Sequence, residues 1–595
     1  MTATGRVRLD DVDLAENTPQ KRGNMSSNET SPQSLVDASI RQRSSILIFL
    51  LVLATAFAAP RWVGTSHAQV ILPVDAQPRC APDAGSWFDQ HGFVQPPDNV
   101  QFPSSSDPCI FLETSMRMFL WVTSVYRRQD NEPIYVYDSP SFFRVGEPDK
   151  RGYRRLFQNN ATRTENDDKS ARSFGPGISQ FGPLNKPVVF DNQGEIHDFV
   201  HYSIIQRGAR DPCKNDISSV KIRGGITSLG SSGARVVNGA GTPVSSIIVN
   251  GVTTYFDADG KVVVSTAGQV CNKLLLSRES KIVYYNIAIN DVYAYFVTGF
   301  KNKQLHFSTF PTGADVPTPT GSTKDITEIK QFAESHGSKL LDEKALAVEL
   351  KTAWIEIDDR DMGRFVTTRA MVPTFIRNGV THWRADCWKS VRLGLVGMHV
   401  VFSARSHPQM IWATFEHVDN APNDKYQYCQ PSQDTQCTKV NTHWRDKSTN
   451  WVFSANDSLS GDRQLAYLCK GDICGYNKNA IGPNNILREH PWGSTFGSVP
   501  AAEFNTDTIN VNNSVLNVLP HGDVRKNYVL MGSMWTQGGL PGGVEFGPQR
   551  LTNTTMETFF QDSNCFDCHR AQTGTGMSHI FNLLRPLFGQ QRMTK

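Results

Sequence analysis

Two cysteines with a histidine directly behind them, Cys565-Phe566-Asp567-Cys568-His569, are the residues whose types and spacing best define a chemistry in this chain. Thiols at that spacing can each add to one of the two vinyl groups on a porphyrin edge. The imidazole that follows is carried under the ring, where a nitrogen can bind iron. The pattern is that of covalent c-type haem attachment, with Cys565 and Cys568 as the thioether residues and His569 as the proximal ligand. With 11 cysteines and 15 histidines among 595 residues, such a match arises by chance about 0.005 times per chain. The same two thiols could be half of a zinc site, a redox dithiol or plain structure. Zinc would need two further ligands, and no second Cys-x-x-Cys or closely spaced histidine pair lies nearby.

One haem iron offers a second axial position. Downstream of the motif the candidates are Met577, His579 and Met593. Upstream, His417 and His399 stand out, in Trp412-Ala413-Thr414-Phe415-Glu416-His417-Val418-Asp419-Asn420 and in Gly397-Met398-His399-Val400-Val401. A histidine on an apolar strand is more often a hydrogen-bonded core residue than a ligand, so His399 ranks below His417 and His579. Glu416 and Asp419 sit close enough in sequence to orient the His417 imidazole. An open iron side is the remaining alternative, and the same polar cluster would then supply acid and base for peroxide cleavage.

Such chemistry needs an oxidising compartment and a scaffold. Residues 46–59 (ILIFLLVLATAFAA) form an apolar run behind Arg41 and Arg43, ended by Pro60. It is too short to span a bilayer core of about 30 Å and reads as the h-region of a signal peptide, with cleavage expected after Ala68. The segment before it is long, and Met25 is an alternative start. A periplasmic or secreted bacterial location follows, with no transmembrane segment after cleavage. Nine cysteines remain outside the haem motif, and most should pair in such a compartment. Proximity suggests Cys80–Cys109, Cys213–Cys271, Cys429–Cys437 and Cys469–Cys474, with Cys387 left over; spacing alone leaves the connectivity open. The net charge of +3, with scattered basic residues, argues against a nucleic-acid partner.

The scaffold reads as a β-rich α+β fold. Residues 111–125 carry apolar side chains at helical spacing, and 325–336 predicts a second helix ending near Gly337. Residues 216–310 read as strands, with Asn250-Gly251 and Asp259-Gly260 as hairpin turns. Residues 311–324, rich in Pro, Gly and Thr, are the expected linker between a domain at 69–310 and one at 325–550. Strands are expected over 345–357, 394–404 and 410–415, loops over 421–500, and an apolar run over 527–536. Few residues follow His569, too few to enclose a porphyrin. The haem pocket should therefore be built from upstream residues, with 551–595 acting as a haem-bearing arm and 578–585 as its short helix, limited by Pro586.

The segments VELKTAWIEI (348–357), LVGMH (395–399), QMIWATFEHVDNAP (409–422), VLMGSMW (529–535) and NTTMETF (553–559), with the haem motif behind them, resemble bacterial cytochrome c family proteins that have a long N-terminal region and one C-terminal haem motif. The resemblance covers the C-terminal half. It implies covalently bound haem c and electron transfer with a redox partner protein, and no substrate. A haem-dependent oxidoreductase or peroxidase, motivated by chain length, is the alternative; a haem-based binding module with aromatic-rich 444–451 as its groove is a third. No P-loop, dinucleotide fingerprint or nucleophile triad accompanies the motif.

Overall fold

The computed structural model describes residues 72–159, short strands between 188 and 255, residues 273–569, Ser578 and residues 580–588, with brief gaps inside those stretches. The expected signal segment 1–68, the Cys213–Cys271 pair, the Asp259-Gly260 turn, Met577, His579 and Met593 lie outside the described residues.

Alternating and continuous apolar runs produce one 12-stranded sheet. Its strands are β1 (Phe142–Val145), β2 (Leu156–Gln158), β3 (Lys273–Leu274), β4 (Val283–Asn290), β5 (Val348–Glu356), β6 (Thr367–Ile376), β7 (His382–Ala404), β8 (His407–His417), β9 (Ala466–Cys469), β10 (Asp472–Gly475), β11 (Tyr528–Thr536) and β12 (Glu545–Phe546). The path runs β3-β9-β10-β7-β5-β4-β1-β2; β6 pairs with β7, β8 joins β7 to β11, and β11 carries β12. The α-helices among the described residues are α1 (Cys109–Val122), α2 (Asp291–Lys301), α3 (Lys324–Ser335), α4 (Val499–Val518) and α5 (Cys565–Cys568). The architecture is β-rich α+β. Strands 246–249 and 252–255 pair antiparallel with Val249 opposite Val252; the expected Asn250-Gly251 turn lies outside the described residues.

Burial follows the pleat. Along β5, Val348 and Leu350 are buried while Glu349 and Lys351 on the other face are only partly so. β11 is buried at every residue, as a continuous apolar strand covered on both faces must be. One face packs on α1, where Phe119 stacks on Phe415 at 4.3 Å between ring centres, and on Val511 and Val515 of α4. The other face carries Ile289, Val401, Trp412 and Met534 and is covered by α2, α3 and the C-terminal segment.

Four expectations change. Within 421–500, expected as loops, Ala466–Cys469 and Asp472–Gly475 are strands that join the sheet through β3 and β7. Residues 291–301 form a helix, not a strand: the Asn290 side chain caps it by accepting the Tyr293 N–H at 3.2 Å and also accepts the Val348 N–H at 2.9 Å. Its apolar residues are buried all round, so no polar face betrayed the helical period. The stretch 311–324 does not separate two sheets, because β4 before it pairs with β5 after it, from Val283–Ile355 to Ile289–Glu349. The boundary between 69–310 and 325–550 therefore falls inside one sheet. Residues 580–584 make one turn rather than a helix. Leu583 and Leu584 both donate to the Ile580 carbonyl at 2.8 Å, and the chain then pairs with Arg154, whose N–H reaches the Leu583 carbonyl at 2.7 Å. Tertiary pairing and Pro586 stop the helix.

Candidate haem-attachment site

The Cys-x-x-Cys-His motif is one turn of helix with a strong cap. Asn564 Oδ1 accepts the N–H groups of Phe566 at 2.8 Å and Asp567 at 2.9 Å, and the Asp567 carboxylate accepts the Asn564 N–H at 3.0 Å. This reciprocal pair satisfies donors that so short a helix would otherwise leave open. The His569 N–H closes the turn on the Cys565 carbonyl at 2.9 Å. Phe566 is fully buried among the side chains of the second sheet face, so it anchors the turn. Cys565 and His569 stay half-exposed. The His569 ring lies against Trp412, 4.3 Å between centres at 51°.

Trp412 ties the motif to the sheet. It stands opposite Val401 on β7 and Met534 on β11, and Val401 stands opposite Glu349 on β5. The next row on that face is Thr414, His399, Lys351 and Ile287. Opposed residues share a face and successive residues alternate. Glu349, Lys351, His399 and Ile287 therefore lie on the same face as Trp412 and are partly buried. Residues 553–557 lie against this face: Asn553 donates to Thr414 Oγ1 and to the Phe415 carbonyl, each at 2.9 Å. Glu557 meets His399 Nε2 at 3.1 and 3.2 Å and Lys351 Nζ at 3.5 Å. Gly397 permits this approach, since a Cβ there would lie 2.2 Å from Thr555 Oγ1. The Ser578 hydroxyl donates to Glu349 at 2.7 Å.

These two carboxylates are driven apart. Burial pushes Glu349 up to about 7, with the Ser578 bond opposing it only partly. Burial would raise Glu557 too, but His399 and Lys351 beside it overcome this and hold it down to about 2.

His417 is not brought to the motif. It is an odd number of residues from Trp412 and projects from the opposite face of β8. There it is fully buried, stacks on Phe365 at 4.1 Å, makes a hydrogen bond through Nε2 with the Arg364 carbonyl at 2.9 Å and accepts the Asp419 N–H at 3.2 Å through Nδ1. Both ring nitrogens are spent on the core. Glu416 does not orient it: alternation turns Glu416 the other way, into a buried ion pair with Arg488 at 2.6 Å. His399, ranked lower on sequence, is the upstream histidine that shares the face of Trp412. Its signal was available, because the even spacing Trp412–Thr414 fixes the row once the β7–β8 register is known.

Cys565 and the His569 imidazole are partly exposed, and Phe566, Asn564 and Asp567 anchor the turn, so a thioether at Cys565 and an iron bond at His569 would leave that anchor intact. A cavity of about 280 Å³ lined by Phe504, Trp535, Phe546 and Pro548 includes no motif residue. Three disulfides, Cys80–Cys109, Cys429–Cys437 and Cys469–Cys474, join the cysteines expected from proximity. Among the described residues no helix is long and apolar enough to cross a membrane. Comparison of the chain with protein-family models, with curated proteins and with solved structures gives no match.

Proposed function

We propose that this protein is an exported monohaem c-type cytochrome that passes single electrons to and from a redox partner protein. The observation that carries the reading is the capped Cys565–Cys568 turn with His569 packed on Trp412 of the sheet. Cys565 and Cys568 would hold the haem through thioethers and His569 would ligate its iron; bound there, haem supplies one-electron chemistry. The burial and hydrogen bonds of the sheet beside the motif would tune its potential. His399, on the face of Trp412, would be a further iron ligand, with Glu557 holding its ring. The disulfides support an oxidising compartment.

The test is a pyridine haemochrome assay on protein made in a strain with working maturation machinery, with optical spectra in both redox states. One covalent haem per chain and a low-spin ferrous form inert to carbon monoxide are expected. A colourless protein whose intact mass lacks a tetrapyrrole sinks the reading. A second reading, a peroxide-dependent oxidoreductase, draws on the same His399–Glu557 pair, since an imidazole held by a carboxylate is suited to acid–base cleavage of peroxide beside an open iron. Carbon monoxide binding by the wild type, with peroxide turnover lost in His399→Ala, would favour it.

A further inference from the structure

The hairpin of β9 and β10 pairs with the start of β7 at a corner of the sheet remote in sequence from the haem motif. Cys469 stands opposite Asp472, and His382 stands opposite Cys474. Asp472 and Cys474 are two residues apart on one strand, so all four side chains lie on one face. The ligand atoms of His382, Cys469 and Cys474 all lie within 4.8 Å of one another. The Asp472 carboxylate is fixed by the Ala385 N–H at 2.8 Å and holds His382 Nε2 at 2.9 Å. That is the arrangement in which a carboxylate orients a metal-binding imidazole. The two cysteines, half-buried, are joined as a disulfide with 5.9 Å between Cα atoms. The strand pairs also hold this backbone spacing, and the Gly475 N–H donates to the Thr381 carbonyl at 2.7 Å.

We propose that this corner is a redox-gated zinc site: closed as a disulfide it excludes metal, and opened by a dithiol it binds Zn²⁺ through Cys469, Cys474 and His382, with Asp472 positioning the imidazole. The gating step balances. A dithiol reductant gives two electrons and two protons to the Cys469–Cys474 bond and is itself oxidised to a disulfide. Zn²⁺ then displaces the two thiol protons, which leave to solvent. Zinc bonds of about 2.3 Å to sulfur and about 2.0 Å to nitrogen require the sulfurs to part to roughly 3.8 Å, within the reach of side-chain rotation on a fixed hairpin. His382 is about half exposed (54% of its side chain), so metal has an entry path and water can take the fourth position. The site is independent of the haem reading.

The test uses the full chain, reduced with dithiothreitol, desalted without air and titrated with Zn²⁺ against a chromogenic chelator, with Co²⁺ as a spectroscopic probe. The reduced wild type should bind one more Zn²⁺ per chain than a Cys469→Ser/Cys474→Ser variant treated alike, which controls for the other reduced disulfides. Its Co²⁺ form should show thiolate-to-cobalt absorption in the near ultraviolet. The oxidised wild type should bind none at this corner. His382→Ala and Asp472→Asn should each weaken binding about 10- to 100-fold. Both residues are partly exposed, so circular dichroism of the oxidised variants should match the wild type. Equal zinc uptake by the reduced wild type and the double serine variant overturns the proposal, as does unweakened binding by His382→Ala.

Discussion

Alternation along a strand sorts the histidines. Trp412 and His417 share β8, yet the pleat sends one to His569 and the other into the core behind Phe365. His417→Ala should therefore lower stability by about 2–4 kcal/mol, through a lost packed ring and stranded polar partners, while leaving the haem spectrum unchanged. Urea unfolding and an absorption scan check both halves. His399→Ala should lower stability through the lost Glu557 pair and, under the proposed haem reading, make the ferrous protein bind carbon monoxide. Glu349 and Glu557 give opposite pH signatures. The raised Glu349 carboxyl contributes stability that is present below about 4.5 and lost as pH rises through about 7. The depressed Glu557 carboxyl contributes stability present above about 4.5 and lost as pH falls through about 2. Thermal midpoints across pH should show Glu349→Gln flattening the neutral limb and Glu557→Gln the acid limb. A pH profile identical to the wild type in both variants would refute this division.

At the level of elements, the Glu557 contacts with His399 and Lys351 depend on how closely 553–559 can lie on the sheet. Gly397 leaves room that a methyl group would fill, with Asn553 Oδ1 at 2.6 Å as well as Thr555 Oγ1 from the ideal Cβ. Gly397→Ala should cost about 1–3 kcal/mol and shift the segment that carries Glu557. Faster amide exchange of residues 553–557, measured by mass spectrometry, would register that shift. The Cys565–Cys568 turn rests on its cap. Asn564→Ala should cost about 1 kcal/mol locally and speed exchange of the Phe566 and Asp567 amides about fivefold, with little change elsewhere. α4 is another case where polar contacts act in place of an apolar stripe. Asn512 accepts the Leu530 N–H and donates to the Leu530 carbonyl, each at 2.8 Å, clasping the helix to β11.

Across the whole molecule, long-range ties hold distant parts of the chain to one sheet. Arg488, between the sheet and the loops after β10, pairs with the fully buried Glu416 and also donates to the Ala421 carbonyl. Arg488→Ala leaves that carboxylate uncompensated and should cost about 3–5 kcal/mol, read from the denaturant midpoint. The Cys80–Cys109 bridge, with a sequence separation of 29, fastens the N-terminal segment to the start of α1. Replacing both cysteines with serine should lower stability by about 3–4 kcal/mol by releasing that loop in the unfolded chain. Covalent haem attachment, far from this bridge in sequence, should persist in whatever fraction still folds.

Local chemistry was legible in the sequence wherever a few adjacent residues fix it. The helices near 109–122 and 324–335 and three short-range disulfides all depend on spacing that the chain displays directly. α2 and α4 were not legible, because one is apolar on every side and the other buries polar residues whose partners lie far along the chain. The continuity of the sheet across 311–324 was equally hidden, since strand pairing is a relation between segments and no single segment states it. The surroundings of His569 belong to the same class. Register set by long-range hydrogen bonds put His399 and Glu557 beside Trp412 and turned His417 away, and only the assembled sheet has a register.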